Sequence, residues 1–270
     1  MPAPIVPLPG EDHFNMLVAA RHGPMLVNRH DQYVGASLRK YGEFSPGETA
    51  VFKQMVGAGM TVVEVGANIG AHTIELARQV GPTGSVLAFE PQRIVFQTLC
   101  ANLALNGCTN VHARQVAIGA APGEIHVPML DPGKSNNFGG LSLLGAKQGE
   151  IVPLLTLDSL GLAACHVLKL DLEGMEVEAL RGAASLVQQH RPAMYVENDR
   201  QERSAELISL LLSWNYRLYW HMPPLFPGAD NFTGEVENIF GNIVSINMLC
   251  VAVERNMTVQ GLQEITSVPA

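Results

Sequence analysis

The chain alternates between short, nearly unbroken apolar runs and longer stretches whose apolar residues recur at helical spacing. The clearest pair starts at residues 61–65, a β-branched run ending at Gly66 and Gly70. Residues 69–80 follow, with Ile69, Leu76, Ala77 and Val80 on one side. Short continuous runs argue strand and a three-four spacing argues helix, so this segment predicts strand, glycine turn, helix. The rhythm continues with a strand over 85–89 covered on both faces, a helix over 92–105 and a strand over 110–118. It resumes with a strand over 166–171, one helix over 174–189, a strand over 192–196, a helix over 204–214, and strands over 216–220 and 244–253. Such alternation means right-handed βαβ units, hence an α/β fold with a mostly parallel sheet and helices on both faces.

Three stretches depart from the rhythm. Residues 1–28 are Pro-rich without a sustained period and predict an irregular lead-in. Ser45-Pro46-Gly47-Glu48 then reads as a helix start, with Ser45 as cap, Pro46 at the first position and Glu48 closing a capping box. Residues 120–151 are rich in Gly and Asn, with short alternating pieces at 124–127 and 141–144, and predict a β-hairpin insertion whose loop, 131–140, lies over the strand ends. A short strand over 152–157 and a helical turn capped by Asp158 lead back into the sheet. Residues 221–243 are irregular.

Composition narrows the class more than the reaction. A length of 270 residues suits one α/β domain with an appendage, and 47% hydrophobic against 16% charged residues describes a globular chain. Apolar runs fall short of the ~18 residues that would suggest a membrane span, and the start has neither the basic nor the apolar region of a signal peptide. A cytoplasmic location, and no integral membrane protein, are therefore expected. A net charge of −8 argues against a nucleic-acid partner. Cys100, Cys108, Cys165 and Cys250 are scattered, which favours reduced thiols over a zinc site or disulfides. Self-association is open, and a homo-oligomer is carried as an expectation.

In an open parallel sheet, ligands bind beyond the carboxyl ends of the strands. The first such end holds Glu64, Gly66, Asn68 and Gly70. A dinucleotide fingerprint would need Gly-x-Gly-x-x-Gly, but Asn68 occupies the second position and the third glycine is missing. Glu64 would also repel a pyrophosphate. A ligand carrying positive charge and hydroxyls fits better, which is the profile of S-adenosylmethionine. Glu90 stands 24 residues past Gly66, placed to take both ribose hydroxyls on its two oxygens. Pro91, Thr73 and Ala117, near the same ends, complete the candidate cofactor contacts. Asn68 serves equally as a turn residue, and His72 reads first as a packed helical histidine and second as a base. Asp171, Glu173, Glu197 and Asn198 close neighbouring strands. Asp171, Glu197 and Asn198 form an oxygen-rich set that suits Mg²⁺, the methionyl ammonium or a general base. His221, at a further strand end, is a candidate to take a proton from an acceptor hydroxyl, with plain packing as the alternative. Asn231, Asn238, Asn242 and Asn247 suit a hydroxylated, sugar-like acceptor.

The phrase Val-Val-Glu64-Val-Gly66-Ala-Asn68-Ile-Gly70-Ala-His72-Thr73, then Phe89-Glu90-Pro91, then Leu-Lys169-Leu-Asp171-Leu-Glu173-Gly-Met-Glu176, resembles the FkbM family of S-adenosylmethionine-dependent methyltransferases. The leader over 33–48 is similar to the segment that precedes the glycine turn in that family. The resemblance implies a class I methyltransferase fold, a seven-stranded Rossmann-like sheet with its last strand antiparallel. It also implies O-methylation of a hydroxyl on a sugar, glycolipid or natural product, a small-molecule or glycan acceptor. By position, Glu64, Gly66, Asn68 and Gly70 would line the methionine end, Glu90 the ribose and Asp171 the edge facing the acceptor. Asp171 with Glu197 and Asn198 is similar to the Mg²⁺ ligands of catechol-type O-methyltransferases, with Glu in place of the usual Asp. The expected organisation is a helical leader and cap over 1–59, the catalytic domain over 60–255 and a tail over 256–270. Two rivals stay open, a nicotinamide-dependent oxidoreductase and a cofactor-binding protein without turnover.

Overall fold

The computed structural model describes residues 13–268; residues 1–12, part of the expected irregular lead-in, lie outside them. The rest of that lead-in is an antiparallel hairpin, β1 (Asn15–Ala20) and β2 (Gly23–Asn28). Helices α1 (Val34–Tyr41) and α2 (Pro46–Met55) follow, then β3 (Thr61–Val65), α3 (Thr73–Val80), β4 (Ser85–Phe89), α4 (Arg93–Leu105), β5 (Val111–Arg114) and β6 (Ala117–Ile118). The insertion supplies β7 (Gly123–Val127) and β8 (Glu150–Leu155). The second half runs β9 (Val167–Leu170), α5 (Glu176–Arg181), α6 (Ala184–His190), β10 (Ala193–Glu197), α7 (Gln201–Ser213), β11 (Tyr216–His221), β12 (Asn247–Ala252) and β13 (Gln263–Ile265). No helix of the described residues is long and apolar enough to cross a membrane.

The main sheet has the order β13-β11-β12-β10-β9-β3-β4-β5. Strands β5, β4, β3, β9 and β10 are mutually parallel, and β12 runs antiparallel to both β10 and β11. These strands and β11 are the expected seven, with the last in sequence antiparallel. The eighth comes from the tail, where β13 pairs with β11 at the edge. Alternate residues divide the core. Val63, Val65, Leu168, Leu170, Met194 and Val196 pack beneath α5, α6 and α7, while Val62, Val86, Val167 and Tyr195 pack against α2 and α3. On that second face Glu64, Lys169 and Tyr195 stand side by side across β3, β9 and β10.

Four departures from the sequence expectation have identifiable physical reasons. The strand expected over 110–118 is two strands, because the chain leaves the main sheet after Arg114 and β6 pairs instead with β8. The insertion's returning strand is β8 itself, so the hairpin extends to Leu155, and residues 141–144 form no strand. The helix expected over 174–189 breaks at Gly182, where an added Cβ would sit 2.0 Å from the Gly119 carbonyl oxygen. Asp158 caps the second piece, accepting from the amides of Ser185 and Leu186 at 3.0 and 2.8 Å. Finally, Ser45 starts α2 but makes no side-chain cap. Its φ of 41° is far from the extended backbone a capping serine uses, so Glu48 is free to turn inward.

Candidate active site

The carboxyl ends of β3, β4, β9 and β10 open into one cleft. Its floor is the turn after β3. Gly66 has φ 83°, and a Cβ there would lie 1.8 Å from the Asp171 carbonyl oxygen; the turn and the β9 end pass so closely that only glycine fits. Asn68 adopts the left-handed conformation at φ 50°, and its Oδ1 accepts from the Ile69 amide at 2.7 Å. Both readings of Asn68 therefore share one residue, since it shapes the turn and lines the cleft.

Glu90 is held from two sides. Its Oε2 accepts from the Asn68 amide at 3.0 Å and its Oε1 from the Gln92 amide at 2.9 Å. Burial pushes its carboxyl up to about 7, although those two N–H donors act to lower it. Each oxygen keeps a lone pair for a hydroxyl donor. Pro91 and Ala117 also line the cleft, Ala117 from the insertion sheet and not from a main-sheet strand end as expected. Gly70 and Thr73 sit beneath the lining. A Cβ on Gly70 would meet Leu99 at 2.8 Å, and Thr73 is fully buried with its hydroxyl donating to Glu64 Oε2 at 2.6 Å. These two hold the turn in place.

Behind the turn lies a buried polar group on the α2–α3 face. Lys169 Nζ is 3.0 Å from Asp171 Oδ2 and 3.9 Å from Glu64 Oε1. Glu48 Oε2 lies 3.3 Å from His72 Nε2, both side chains being 6% exposed. Burial acts to raise the Glu48 carboxyl, but His72 and Lys169 hold it down at about 2. His72 packs between Phe44 and Phe52, and neither of its ring nitrogens has a hydrogen bond of good geometry.

The third wall is acidic. Ligand oxygens of Asp171, Glu173 and Glu197 come within 4.8 Å of one another. Burial, then the charges of Asp171 and Glu173, raise Glu197 well above the usual carboxylate range. Glu173 is raised likewise by burial, Asp171 and Asp199, although it binds Arg200. The expected trio with Asn198 does not form. The Asn198 amide turns to Met248 Sδ at 3.3 Å, and the residue is not part of the lining. Glu176 turns back onto the loop before its own helix, accepting from the Leu172 and Gly174 amides at 2.9 and 3.2 Å.

His221 is not brought to the cleft. It lies on β11, beyond β12, with Nδ1 2.7 Å from the Tyr195 hydroxyl, and burial lowers its pKa. The asparagines of the following loop are mostly occupied by that loop. Asn231 donates to Gly228 and Glu235 carbonyls at 2.6 Å each, and Asn238 to the Gly241 carbonyl at 2.8 Å; of the four, Asn247 alone lines the cleft. The cover comes from Tyr33 and Phe44 of the leader, Asn137–Leu143 of the insertion, and Leu225 with residues 244–247. Tyr41 and Glu43 anchor this cover from below, through the Glu237 carbonyl and through Arg21 and the Phe232 amide.

With this geometry in hand, the match of residues 64–218 to the description "Methyltransferase FkbM domain" is decisive, since it covers more than half the chain and spans β3 through β11. The chain belongs to the FkbM methyltransferase family. It is similar to methyltransferase sdnD of Sordaria araneosa, 30% identical over 156 residues, 45% of this chain and 59% of that protein. It is also similar to methyltransferase 1 of Beauveria bassiana, 29% identical over 144 residues, 45% of this chain and 57% of that one. The matched stretch thus spans just under three fifths of these curated relatives. Among solved structures, a methyltransferase FkbM from Methylobacillus flagellatus is similar at 19% identity and a TM-score of 0.49, over 72% of this chain and 43% of that one.

His72, expected first as a packed histidine and second as a base, both packs between Phe44 and Phe52 and lines the cleft, whereas Glu48 and Lys169 were not among the expected site residues. The signal for Lys169 was present, a charged residue inside the otherwise apolar Val167-Leu168-Lys169-Leu170. Glu48 was masked by the serine three residues before it, which offered a sufficient local explanation.

Proposed function

We propose that this chain is an S-adenosylmethionine-dependent O-methyltransferase acting on a hydroxyl of a sugar, glycolipid or natural product. One observation carries the cofactor assignment. The Glu90 carboxylate, fixed by the Asn68 and Gln92 amides beside the Gly66 turn, matches a ribose diol in chemistry and position. Seven carboxylates line the cleft, which suits a cofactor bearing a sulfonium and an ammonium and opposes the pyrophosphate of a nicotinamide dinucleotide.

The reaction in this reading is an in-line displacement. The acceptor oxygen forms a bond to the methyl carbon as the carbon–sulfur bond breaks, the sulfonium charge is lost and S-adenosylhomocysteine leaves. The protein's work is alignment and exclusion of water. The hydroxyl proton goes to a nearby base. Asp171 and Glu197 line the cleft and keep that role as candidates, and His72 backed by Glu48 replaces His221. No step of this mechanism calls on Mg²⁺: of the expected trio, Asp171 faces Lys169 and Asn198 is turned away, and the oxygens that do converge are those of Asp171, Glu173 and Glu197. Within the same reading, residues 60–255 carry the chemistry, the described part of 1–59 covers the cleft, and the tail closes the sheet edge.

The test is incubation with methyl-labelled S-adenosylmethionine and a panel of sugars, glycosides and phenols, read by mass spectrometry. A methyl ether on any member supports the proposal. Tight cofactor binding without transfer to the whole panel favours the binding protein instead.

A further inference from the structure

Seven carboxylates face the cleft, but only two lining residues can carry positive charge, Lys169 and His72. Arg200, bound to Glu173, is not among the lining residues. Any ligand that brings its own carboxylate into this cleft therefore finds Lys169 as the one lysine or arginine among the lining residues. Lys169 is 3% exposed in its side chain. Burial acts to lower its pKa, but Asp171, Glu64 and Glu48 together reverse this and hold it charged. Its ammonium has three donors, yet only Asp171 Oδ2 lies at full hydrogen-bond distance, 3.0 Å. The Gly66 carbonyl is at 3.5 Å and Glu64 Oε1 at 3.9 Å. A buried ammonium so served has room for another acceptor.

Position points the same way. β3 lies between β4 and β9 in the sheet. With strands roughly 4.8 Å apart, a ligand whose ribose rests on Glu90 at the β4 end crosses the Gly66 turn and presents its far end at Lys169 and Asp171. That far end of S-adenosylmethionine is an α-amino acid zwitterion. The Lys169–Asp171 pair is its electrostatic mirror image, a cation and an anion side by side.

We infer that Lys169 binds the methionyl carboxylate, so that the Lys169–Asp171 pair selects a cofactor with an intact amino-acid group. The inference rests on the cofactor reading above and adds a specificity-determining residue to it. Calorimetry on the full chain with S-adenosylmethionine and with its decarboxylated form, which keeps nucleoside, sulfonium and amine, separates the two. The wild type binds the intact cofactor about 10- to 100-fold more tightly, the worth of a hydrogen bond to a charged group. Lys169→Met loses that factor for the intact cofactor and holds the decarboxylated form within about threefold of wild type, whereas Lys169→Arg retains the preference. Equal loss of both ligands in a Lys169→Met protein that still melts cooperatively makes Lys169 a structural counter-ion and overturns the inference. So does a preserved preference, which puts the carboxylate at the α3 N-terminus. Should Lys169→Met not fold, a wild type indifferent to the carboxylate overturns it alone. If the wild type binds neither ligand, the cofactor reading falls and this inference with it.

Discussion

The two sides of the cleft are built differently. On the side proposed to hold the cofactor, Gly66, Asn68 and Glu90 fall within one strand–turn–helix–strand unit and are fixed by backbone contacts, including two amides on one carboxylate. On the side proposed to face the acceptor, Tyr33, Phe44, Asn137, Leu225 and Asn247 come from four separated segments and are held by side chains reaching across loops, such as Tyr41 to the Glu237 carbonyl. A ligand shared by many proteins can be met by a compact backbone device. A particular acceptor requires surfaces that vary independently of it, and loops on a rigid scaffold supply them.

The most damaging way to break the first side without touching the second is Gly66→Ala. The added methyl would overlap the Asp171 carbonyl at 1.8 Å in a backbone conformation that disfavours side chains. We expect a loss of about 3 kcal/mol or more in stability and no measurable binding of S-adenosylhomocysteine, read by melting and calorimetry. A cooperative protein with parental affinity would show that the turn does not hold the ligand.

Glu90→Ala probes the same side more gently. We expect S-adenosylhomocysteine affinity to fall by at least about 100-fold, the lower bound for two hydrogen bonds to a charged group, with the fold intact. Wild-type affinity also falls as pH drops through about 7, because a protonated Glu90 gives up acceptor capacity, and Glu90→Gln removes this dependence. Stability moves the other way. The folded carboxyl is raised from 4.5 to about 7, so between these values the native state holds more protons than the unfolded one. The ligand-free protein therefore loses stability as pH rises through that window. Glu48, lowered to about 2, contributes stability above its ordinary range that is lost only as pH falls towards 2.

The smallest expected effect lies on the acceptor side. Asn231 ties its loop through the Gly228 and Glu235 carbonyls, the Glu235 amide and the Thr233 hydroxyl. Asn231→Ala is expected to cost about 1–2 kcal/mol and to leave S-adenosylhomocysteine affinity unchanged. A parallel loss of affinity would erase the distinction between the two sides.

This division explains what the sequence disclosed. Strand β3, its glycine turn, Glu90 and Asp171 were legible because each stands in or at the end of an apolar run and so carries a local signature, even where its partners are distant. The β1–β2 hairpin was not, since only Val18, Ala20, Met25 and Val27 bury the alternating face and Pro24 interrupts it. The break at Gly182 depends on Gly119, far away in the chain. His221 misled because a strand end looks alike wherever the strand sits. Its distance from the cleft follows from β12 inserting between β10 and β11, which local pattern cannot express. Asn198 misled similarly, since its orientation is set by Met248.

The central claim is that this cleft holds S-adenosylmethionine through Glu90 and the Gly66 turn. Titration of the full chain with S-adenosylhomocysteine, beside NADH under the same conditions, tests it most directly. The account predicts saturable one-to-one binding of the first and no heat from the second. Heat from NADH with none from S-adenosylhomocysteine would contradict it.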